Sequence, residues 1–173
     1  MTTAWFYIIN LFRKKKTNNF LRVKDKKVMK ERKNYYAPMH TAEHILNGTI
    51  VKIFGCERSE NCHIERKKSK CDFKINKPPS KEEINILEQK IKDIISQNLE
   101  VSEKNIPYAE ADKIFNLKRI NKEENPEVRI ISIGDYDHCP CIGEHVKNTS
   151  EIENFRITST SYENGIFRVR FKV

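Results

Sequence analysis

The sequence lacks the features that mark several classes of small protein. It has no CxxC pair, the spacing common in closed structural zinc sites, and its five cysteines are unevenly spaced. It has neither an internal repeat nor a low-complexity tract, and its apolar stretch at residues 4–12 is far shorter than the roughly 20 residues that span a bilayer. The sequence therefore predicts no repeat architecture and no membrane-spanning helix, and its cysteines fit a reducing cytoplasm.

Positive charge is concentrated in the first 33 residues. The formal net charge of the 173-residue chain is +9, a value that by itself would favour nucleic-acid binding. Residues 1–33 contain 11 Lys and Arg side chains against Asp25 and Glu31, whereas the rest of the chain has 22 basic and 22 acidic side chains. The basic character therefore belongs to this leader, and residues 34–173 are neutral overall.

We expect residues 1–33 to be a disordered basic leader and residues 34–173 to form a single domain. Charges follow the apolar stretch of the leader rather than precede it, which is opposite to a secretory signal. Three explanations stay open: an interfacial anchor with a polybasic stretch, a flexible RNA-binding arm, or a start codon assigned too far upstream. The third is favoured, because Met29 begins MKERKNYY directly before the domain.

Hydrophobic periodicity predicts an α+β fold with two main helices. Pro38 stands where the first helix begins and Gly55 where it ends. Ser80 and Glu83 have the capping-box spacing at the start of the second helix. The apolar stripe of that helix is expected to pack on a sheet; it consists of Ile84, Leu87, Ile91, Ile94 and Ile95.

The strands are expected to form a mixed, mainly antiparallel sheet with both helices on one face. A short helix is predicted at 108–115, a polar loop at 116–126, and a turn at Glu163-Asn164-Gly165 between the last two strands. The predicted strands lie within 61–75, at 99–106, at 128–133, at 155–161 and at 166–173. This arrangement would bring the first helix and a late Cys/His loop together at one end of the sheet.

Two five-residue windows, HTAEH and CIGEH, concentrate metal-binding side chains. Side chains four residues apart on a helix lie on the same face, so His40 and His44 would aim two imidazoles at one point. Cys141 and His145 would supply two more donors from the second window. Imidazole nitrogens and a thiolate are ligands that Zn²⁺ takes tetrahedrally. The sequence therefore predicts a zinc site between the first helix and the late loop.

The ligand set leaves alternatives open. Either spacing alone is compatible with ordinary surface or core residues, and a zinc that only clips the helix to the loop would be structural. Cys139 competes with Cys141 as the thiolate, and His138 offers another donor on the same loop. The other cysteines have no metal spacing and are interpreted as small apolar residues; these are Cys56, Cys62 and Cys71.

These motifs resemble a known family. HTAEHILNGTIVKIFG, followed far downstream by VRIISIGDYDHCPCIGEHVKNTSEIENFRI, is similar to the editing domain of alanyl-tRNA synthetase. It is most similar to the short free-standing version, the AlaX-type trans-editing proteins. The family pattern is HxxxH, then CxxxH, then a segment close to NTGEI, which reads NTSEI here at 148–152. The resemblance extends over residues 36–173.

The resemblance implies hydrolysis of the ester between a mischarged amino acid and the 3′ end of its tRNA. The usual substrate is Ser-tRNA(Ala), in some cases with Gly-tRNA(Ala). It also implies that zinc lies beside the ester, held by His40, His44, Cys141 and His145. The expected partner is the aminoacylated acceptor end of tRNA, with no protein partner and no membrane.

Six further residues are predicted for the site. The expected catalytic residues are Thr41, Glu43 and His63, and the expected substrate-binding residues are Asn61, Asn148 and Thr149. Two departures from the family pattern bear on them. Glu144 precedes the last ligand where the synthetase usually has threonine, which favours the free-standing subgroup. The strand that often reads S-x-H-x-G in the family reads N-C-H-I-E here. The amino-acid specificity of the family is therefore the property least transferable to this chain.

Two other functions compete with this interpretation. Residues 40–44 match H-x-x-E-H, the inverted zinc-peptidase motif in which the glutamate is the general base, although Glu43 would point about 100° away from the ligands on an ideal helix. A non-catalytic, zinc-bearing tRNA-binding module is the second alternative. Zinc content, measured together with deacylation and peptide cleavage, would separate the three functions.

Overall fold

The computed structural model of the protein describes residues 36–118 and 120–173. The predictions for the leader, including its disorder and Met29 as the true start, lie outside the described residues. The helices are α1 (Ala37–Phe54), α2 (Lys81–Ser96) and α3 (Tyr108–Ala111). The strands are β1 (Asn61–His63), β2 (Ser69–Lys74), β3 (Val101–Pro107), β4 (Glu127–Ile133), β5 (Asp137–Pro140), β6 (Arg156–Glu163) and β7 (Ile166–Lys172).

Helix α1 begins and ends where the sequence predicts. A proline stands in its first turn, where the missing N–H costs no hydrogen bond. Gly55 ends the helix with a φ of 63°, and its N–H donates to the carbonyl of Val51 at 3.0 Å. All residues from 39 to 50 are buried. A helix buried on every side lies in the middle of a structure rather than on its surface.

Helix α2 has the capping box that its sequence predicts. The Ser80 hydroxyl accepts from the N–H of Glu83 at 3.1 Å, and the Ser80 N–H donates to the Glu83 carboxylate at 2.7 Å. The predicted stripe faces the core, with Leu87 and Ile91 fully buried. The stripe's other members pack around them half-buried.

The α+β class and the antiparallel pairing are confirmed, but the described strands form two sheets instead of one. One sheet has the order β1-β2-β7-β6 and the other β3-β4-β5, with every neighbouring pair antiparallel. Strands β3 and β4 pair with each other and not with the four-stranded sheet, and β5, which was expected as part of the Cys/His loop, adds a third strand. Gly134, with a φ of 47°, helps the chain reverse after β4, so that β3 and β5 occupy both edges of β4.

The main core lies between α1, α2 and the four-stranded sheet. Its largest fully buried side chains are aromatic residues of β2 and β7, namely Phe73, Phe167 and Phe171. A second, small cluster packs beneath α3 against β4. The β6–β7 hairpin turns at Asn164 and Gly165, whose φ values of 50° and 78° suit a two-residue turn. Within the described ranges, no helix has both the length and the apolarity needed to cross a membrane.

The capping box makes the stability of α2 depend on an exposed hydroxyl. We expect Ser80→Ala to lower the free energy of unfolding by about 1 kcal/mol, because the Glu83 N–H loses its acceptor. Urea denaturation followed by circular dichroism measures the difference. Ser102→Ala, at an exposed position of β3, is the control and should change the free energy by less than about 0.5 kcal/mol. Equal effects of both substitutions would contradict the assigned role.

Candidate metal centre

Four side chains from two distant segments meet at one end of α1. His40 and His44 stand one turn apart on the helix, while Cys141 and His145 come from the segment that follows β5. The ligand atoms of all four lie within 4.8 Å of one another. The second window is irregular rather than helical, so β5 and the loop after it, not helical spacing, place Cys141 and His145.

The distances within this group match a tetrahedral zinc site. The Sγ of Cys141 lies 3.4 Å from Nε2 of His40 and 3.5 Å from Nε2 of His145. With Zn–S near 2.3 Å and Zn–N near 2.05 Å, a tetrahedral angle separates a sulfur and a nitrogen ligand by roughly 3.6 Å. Three imidazoles and a thiol are also the donor types that zinc prefers. The residues present therefore fit a zinc ion.

Hydrogen bonds fix the orientation of two of the imidazoles. Nδ1 of His40 lies 3.0 Å from the carbonyl oxygen of Glu144, an acceptor that requires the proton on Nδ1. Nδ1 of His145 lies 3.1 Å from Oγ1 of Thr41. Thr41 donates its own proton to the carbonyl of Ala37 at 3.0 Å, so Nδ1 of His145 must be the donor. In both rings Nε2 therefore carries the lone pair that faces Cys141.

The third imidazole has an acidic neighbour. Nδ1 of His44 and Oδ2 of Asp137 are buried, 3.8 Å apart, and without a hydrogen-bond partner in the described structure. The other oxygen of Asp137 accepts from Nη1 of Arg58 at 2.6 Å. Gly48 stands one turn after His44 on α1, and a Cβ at this position would lie 3.0 Å from the Asp137 carboxylate. The glycine therefore leaves room for Asp137. Metal-binding histidines commonly donate their second N–H to such a carboxylate.

The loop that carries Cys141 is held by a guanidinium. Nη1 of Arg129 donates to the carbonyl oxygens of Cys141 and Gly143 at 3.0 and 2.8 Å. The N–H of Gly143 in turn points to the Sγ of Cys141 at 3.4 Å. Cys139, the competing ligand of the CxC pair, directs its thiol to the carbonyl of Pro140. Cys139 is absent from the His/Cys group found among the described residues.

Burial keeps the three imidazoles neutral. Burial lowers the pKa of His40 to about 4 and that of His145 to about 3, and it lowers the pKa of His44 well below its usual value. Burial also raises the pKa of the Cys141 thiol. Neutral imidazoles have lone pairs available at pH 7, whereas the thiol has to release its proton when it binds a metal.

Glu43 reaches the edge of this group from the same helix. Its carboxyl is buried, and burial, followed by the nearby Cys62, raises the pKa of Glu43 well above its usual value. Oε2 lies 3.8 Å from Nε2 of His44. Oε1 accepts from the Asn47 side-chain amide and from the Cys62 thiol. The carboxyl therefore leans toward the site although it is one residue away from His44.

The other predicted site residues have hydrogen-bond partners outside the His/Cys group in the described structure. His63 is exposed on β1 and pairs with Glu65 at 2.6 Å, and Asn61 donates to Asp72 at 2.7 Å. Asn148 caps the short 3₁₀ turn that follows His145. Thr149 is fully buried, and its hydroxyl links the end of α2 to the segment before β3, because it donates to the carbonyl of Ile95 and accepts from the N–H of Leu99. Substrate binding by Asn61, Asn148 and Thr149 stays a prediction.

Three residues of the centre escaped the sequence analysis. Asp137, Arg58 and Arg129 lie outside both five-residue windows, and no spacing rule connects them with the ligands. Arg58 also borders an open groove beside the centre, lined in part by Lys118, His138, Cys139 and Pro140.

Comparisons with known proteins agree with the motifs. The family described as threonyl and alanyl tRNA synthetase second additional domain matches residues 128–169. An alanine–tRNA ligase of Campylobacter jejuni subsp. doylei is 31% identical over 132 residues, which are 76% of this chain and 16% of that protein. The ligase of Bdellovibrio bacteriovorus is 30% identical over 141 residues, 80% of this chain and 15% of the ligase. The ligase of Leptospira biflexa is 32% identical over 142 residues, which are 78% of this chain and 15% of that ligase.

The chain spans about a sixth of the length of these relatives. The matched domain includes residues 128–133 of β4, all of β5, and two of the four candidate ligands, Cys141 and His145. The resemblance drawn from the HxxxH and CxxxH motifs is thereby confirmed. The chain is related to alanine–tRNA ligases over about three quarters of its own length, and its residues 128–169 are a threonyl and alanyl tRNA synthetase second additional domain.

Proposed function

We propose that the protein is an aminoacyl-tRNA deacylase that hydrolyses the ester of mischarged Ser-tRNA(Ala), and also Gly-tRNA(Ala), in the cytoplasm. The observation that carries this proposal is the convergence of His40, His44, Cys141 and His145, within 4.8 Å, in a relative of alanine–tRNA ligases. The group has the composition and spacing of a zinc site. A zinc ion bound there supplies Lewis-acid polarisation of an ester oxygen.

Glu43 is the residue that we propose to move a proton in this reaction. Its carboxyl lies beside His44 and has a raised pKa because it is buried. A carboxyl with a raised pKa exchanges protons closer to neutral pH than an ordinary glutamate, which suits a general acid or base. The Asn47 amide holds one oxygen and leaves Oε2 on the side of the centre.

Thr41 acts in this proposal through His145 rather than on the substrate. Its hydroxyl donates to Ala37 and accepts from the N–H of Val146 and from His145. One proton and two lone pairs are the full capacity of a hydroxyl. Thr41 therefore positions His145, and we propose Asn61 and His63 as the partners of the serine hydroxyl.

The first prediction from the proposed function concerns the metal itself. We expect about one zinc per purified chain, and we expect His40→Ala/His44→Ala to remove it, because two of four donors are lost. Elemental analysis measures the content, and His63→Ala, an exposed histidine on β1, is the matched control. Cys141→Ala should weaken binding far more than Cys139→Ala. Full zinc content in the double variant would contradict the proposed site. A stronger effect of Cys139→Ala than of Cys141→Ala would mean that Cys139 is the thiolate ligand.

A second prediction concerns Asp137, which we propose as a positioning residue for His44. Asp137→Ala removes the carboxylate that faces Nδ1 of His44 and should weaken zinc binding by about 10- to 100-fold. Competition with a chromophoric chelator measures this affinity. Asp135→Ala, an exposed aspartate two residues earlier, is the control and should leave the affinity unchanged. Equal affinities of Asp137→Ala and the parent chain would contradict the role.

The third prediction concerns the reaction. The zinc-replete protein should deacylate Ser-tRNA(Ala) and leave Ala-tRNA(Ala) largely intact. Alanine has no hydroxyl, so the polar groups of the site that hydrogen-bond the serine hydroxyl would have no partner. Glu43→Gln should lower the rate by about 100-fold or more while zinc content stays at the parent level. Loss of radiolabelled amino acid from the tRNA measures the rate.

The substrate panel separates the rival functions. Binding of tRNA without hydrolysis of seryl-, glycyl- or alanyl-tRNA would indicate the zinc-bearing binding module instead. Cleavage of a generic peptide, lost in Glu43→Gln, would indicate the peptidase. His63→Ala and Asn61→Ala test specificity: if neither changes the ratio of serine to alanine rates, their predicted contact with the serine hydroxyl is wrong.

A further inference from the structure

Two cysteine thiols face each other across the pairing of β1 with β2. Cys62 and Cys71 are direct partners in this antiparallel pair, and their Sγ atoms lie 2.8 Å apart. Directly opposed residues of antiparallel strands have Cα atoms about 4.5 or 5.5 Å apart, and disulfides bridge Cα atoms about 4.4–6.8 Å apart. The two sulfurs can therefore bond without rearrangement of the strands.

The two thiols differ in burial and in acidity. Cys71 is fully buried, and burial raises its pKa well above the usual value. Cys62 is half-buried at the edge strand of the sheet. Hydrogen bonds with Cys71, and then with Ser59, Glu43 and Asn47, lower the pKa of Cys62 to about 6 against the opposing effect of burial. Cys62 is thus the more nucleophilic sulfur near pH 7.

The remaining cysteines have a different environment. Burial raises the pKa of Cys56 and of Cys141, and it raises the pKa of Cys139 to about 12. Since the thiolate is the form that oxidants attack, these three thiols are less reactive than Cys62. Cys141 also belongs to the metal centre described above.

We propose that Cys62 and Cys71 are a redox-active thiol pair, which a peroxide converts into a disulfide between β1 and β2. The Cys62 thiolate attacks one peroxide oxygen, the O–O bond breaks, and the departing oxygen leaves as water after protonation. The product is a sulfenic acid at Cys62. The Cys71 sulfur then attacks the Cys62 sulfur, the S–O bond breaks, and the hydroxide takes the Cys71 proton to leave as a second water. A dithiol reductant reverses the reaction by disulfide exchange.

The pair is linked to the metal centre through one carboxyl. The Cys62 thiol lies 3.3 Å from Oε1 of Glu43, whose Oε2 lies 3.8 Å from Nε2 of His44. In the disulfide, the Cys62 sulfur is neither a thiol nor a thiolate, so its hydrogen bond with Oε1 of Glu43 is lost and the Asn47 amide is left as the partner of that oxygen. Oxidation therefore alters the carboxyl beside the centre without removing a metal ligand. This consequence for activity, unlike the disulfide itself, rests on the proposed function.

Peptide mapping tests the disulfide without any assay of activity. The zinc-loaded full-length chain is treated with hydrogen peroxide, its remaining thiols are alkylated, and the peptides are identified without reduction. We expect the first cross-link to join Cys62 to Cys71, with zinc content unchanged and with full reversal by dithiothreitol. Cys71→Ser and Cys71→Ala should instead leave a sulfenic acid at Cys62 that dimedone traps. Cys56→Ser, the matched control, should give the same cross-link as the parent.

Three results would overturn the pair. A first cross-link between Cys139 and Cys141, or oxidation of Cys62 no faster than that of Cys56, would place the reactive thiol elsewhere. Two zinc ions per chain, falling to one in Cys62→Ser, would mean that Cys62, Cys71 and Glu43 bind a metal instead, since their ligand atoms also lie within 4.8 Å of one another.

Activity provides a separate measurement. The oxidised parent should deacylate Ser-tRNA(Ala) several-fold more slowly than the reduced parent, and dithiothreitol should restore the rate. The Cys56→Ser control should respond in the same way. An unchanged rate in a chain that carries the mapped disulfide would overturn the link through Glu43. Absence of deacylation in the reduced and the oxidised chain alike would count against the proposed function and not against the redox pair.

Discussion

Helix α1 is buried along residues 39–50 although it carries a row of polar side chains, and other parts of the fold supply neighbours for them. These side chains are His40, Thr41, Glu43, His44 and Asn47. Because a buried polar group without a partner costs free energy, each requires a neighbour supplied by another part of the fold. The loop after β5 serves His40 and Thr41, Asp137 faces His44, and the β1 region serves Glu43 and Asn47.

His44 lies between two carboxyl groups that have different surroundings. Asp137 is paired with the Arg58 guanidinium and faces Nδ1, whereas Glu43 is surrounded by an amide and a thiol and lies near Nε2. A carboxylate held by a cation suits the orientation of a metal ligand. A buried carboxyl with a raised pKa suits proton transfer. Environment rather than residue type thus separates the two proposed roles.

The accommodation of Asp137 has a structural cost within α1. A glycine inside a helix is less favourable than alanine by roughly 1 kcal/mol, yet Gly48 occupies the position where a side chain would press on the Asp137 carboxylate. On the opposite side of the same helix, Glu43 connects the centre with Cys62 and Cys71. A single helix thereby links the metal centre to the edge of the four-stranded sheet.

Local sequence determined the helices, the capping box at Ser80, the hairpin at Gly165 and the two short windows that contain the four candidate ligands, because each depends on neighbours a few residues apart. The second sheet and β5 were not predicted, since pairing across a sheet has no local pattern. The contacts of Asp137, Arg58 and Arg129 with the centre, and of Cys62 with Cys71, join residues far apart in the chain or on separate strands. Strand pairing and packing around the buried α1 bring these groups together, so tertiary structure alone decided the environment of the site.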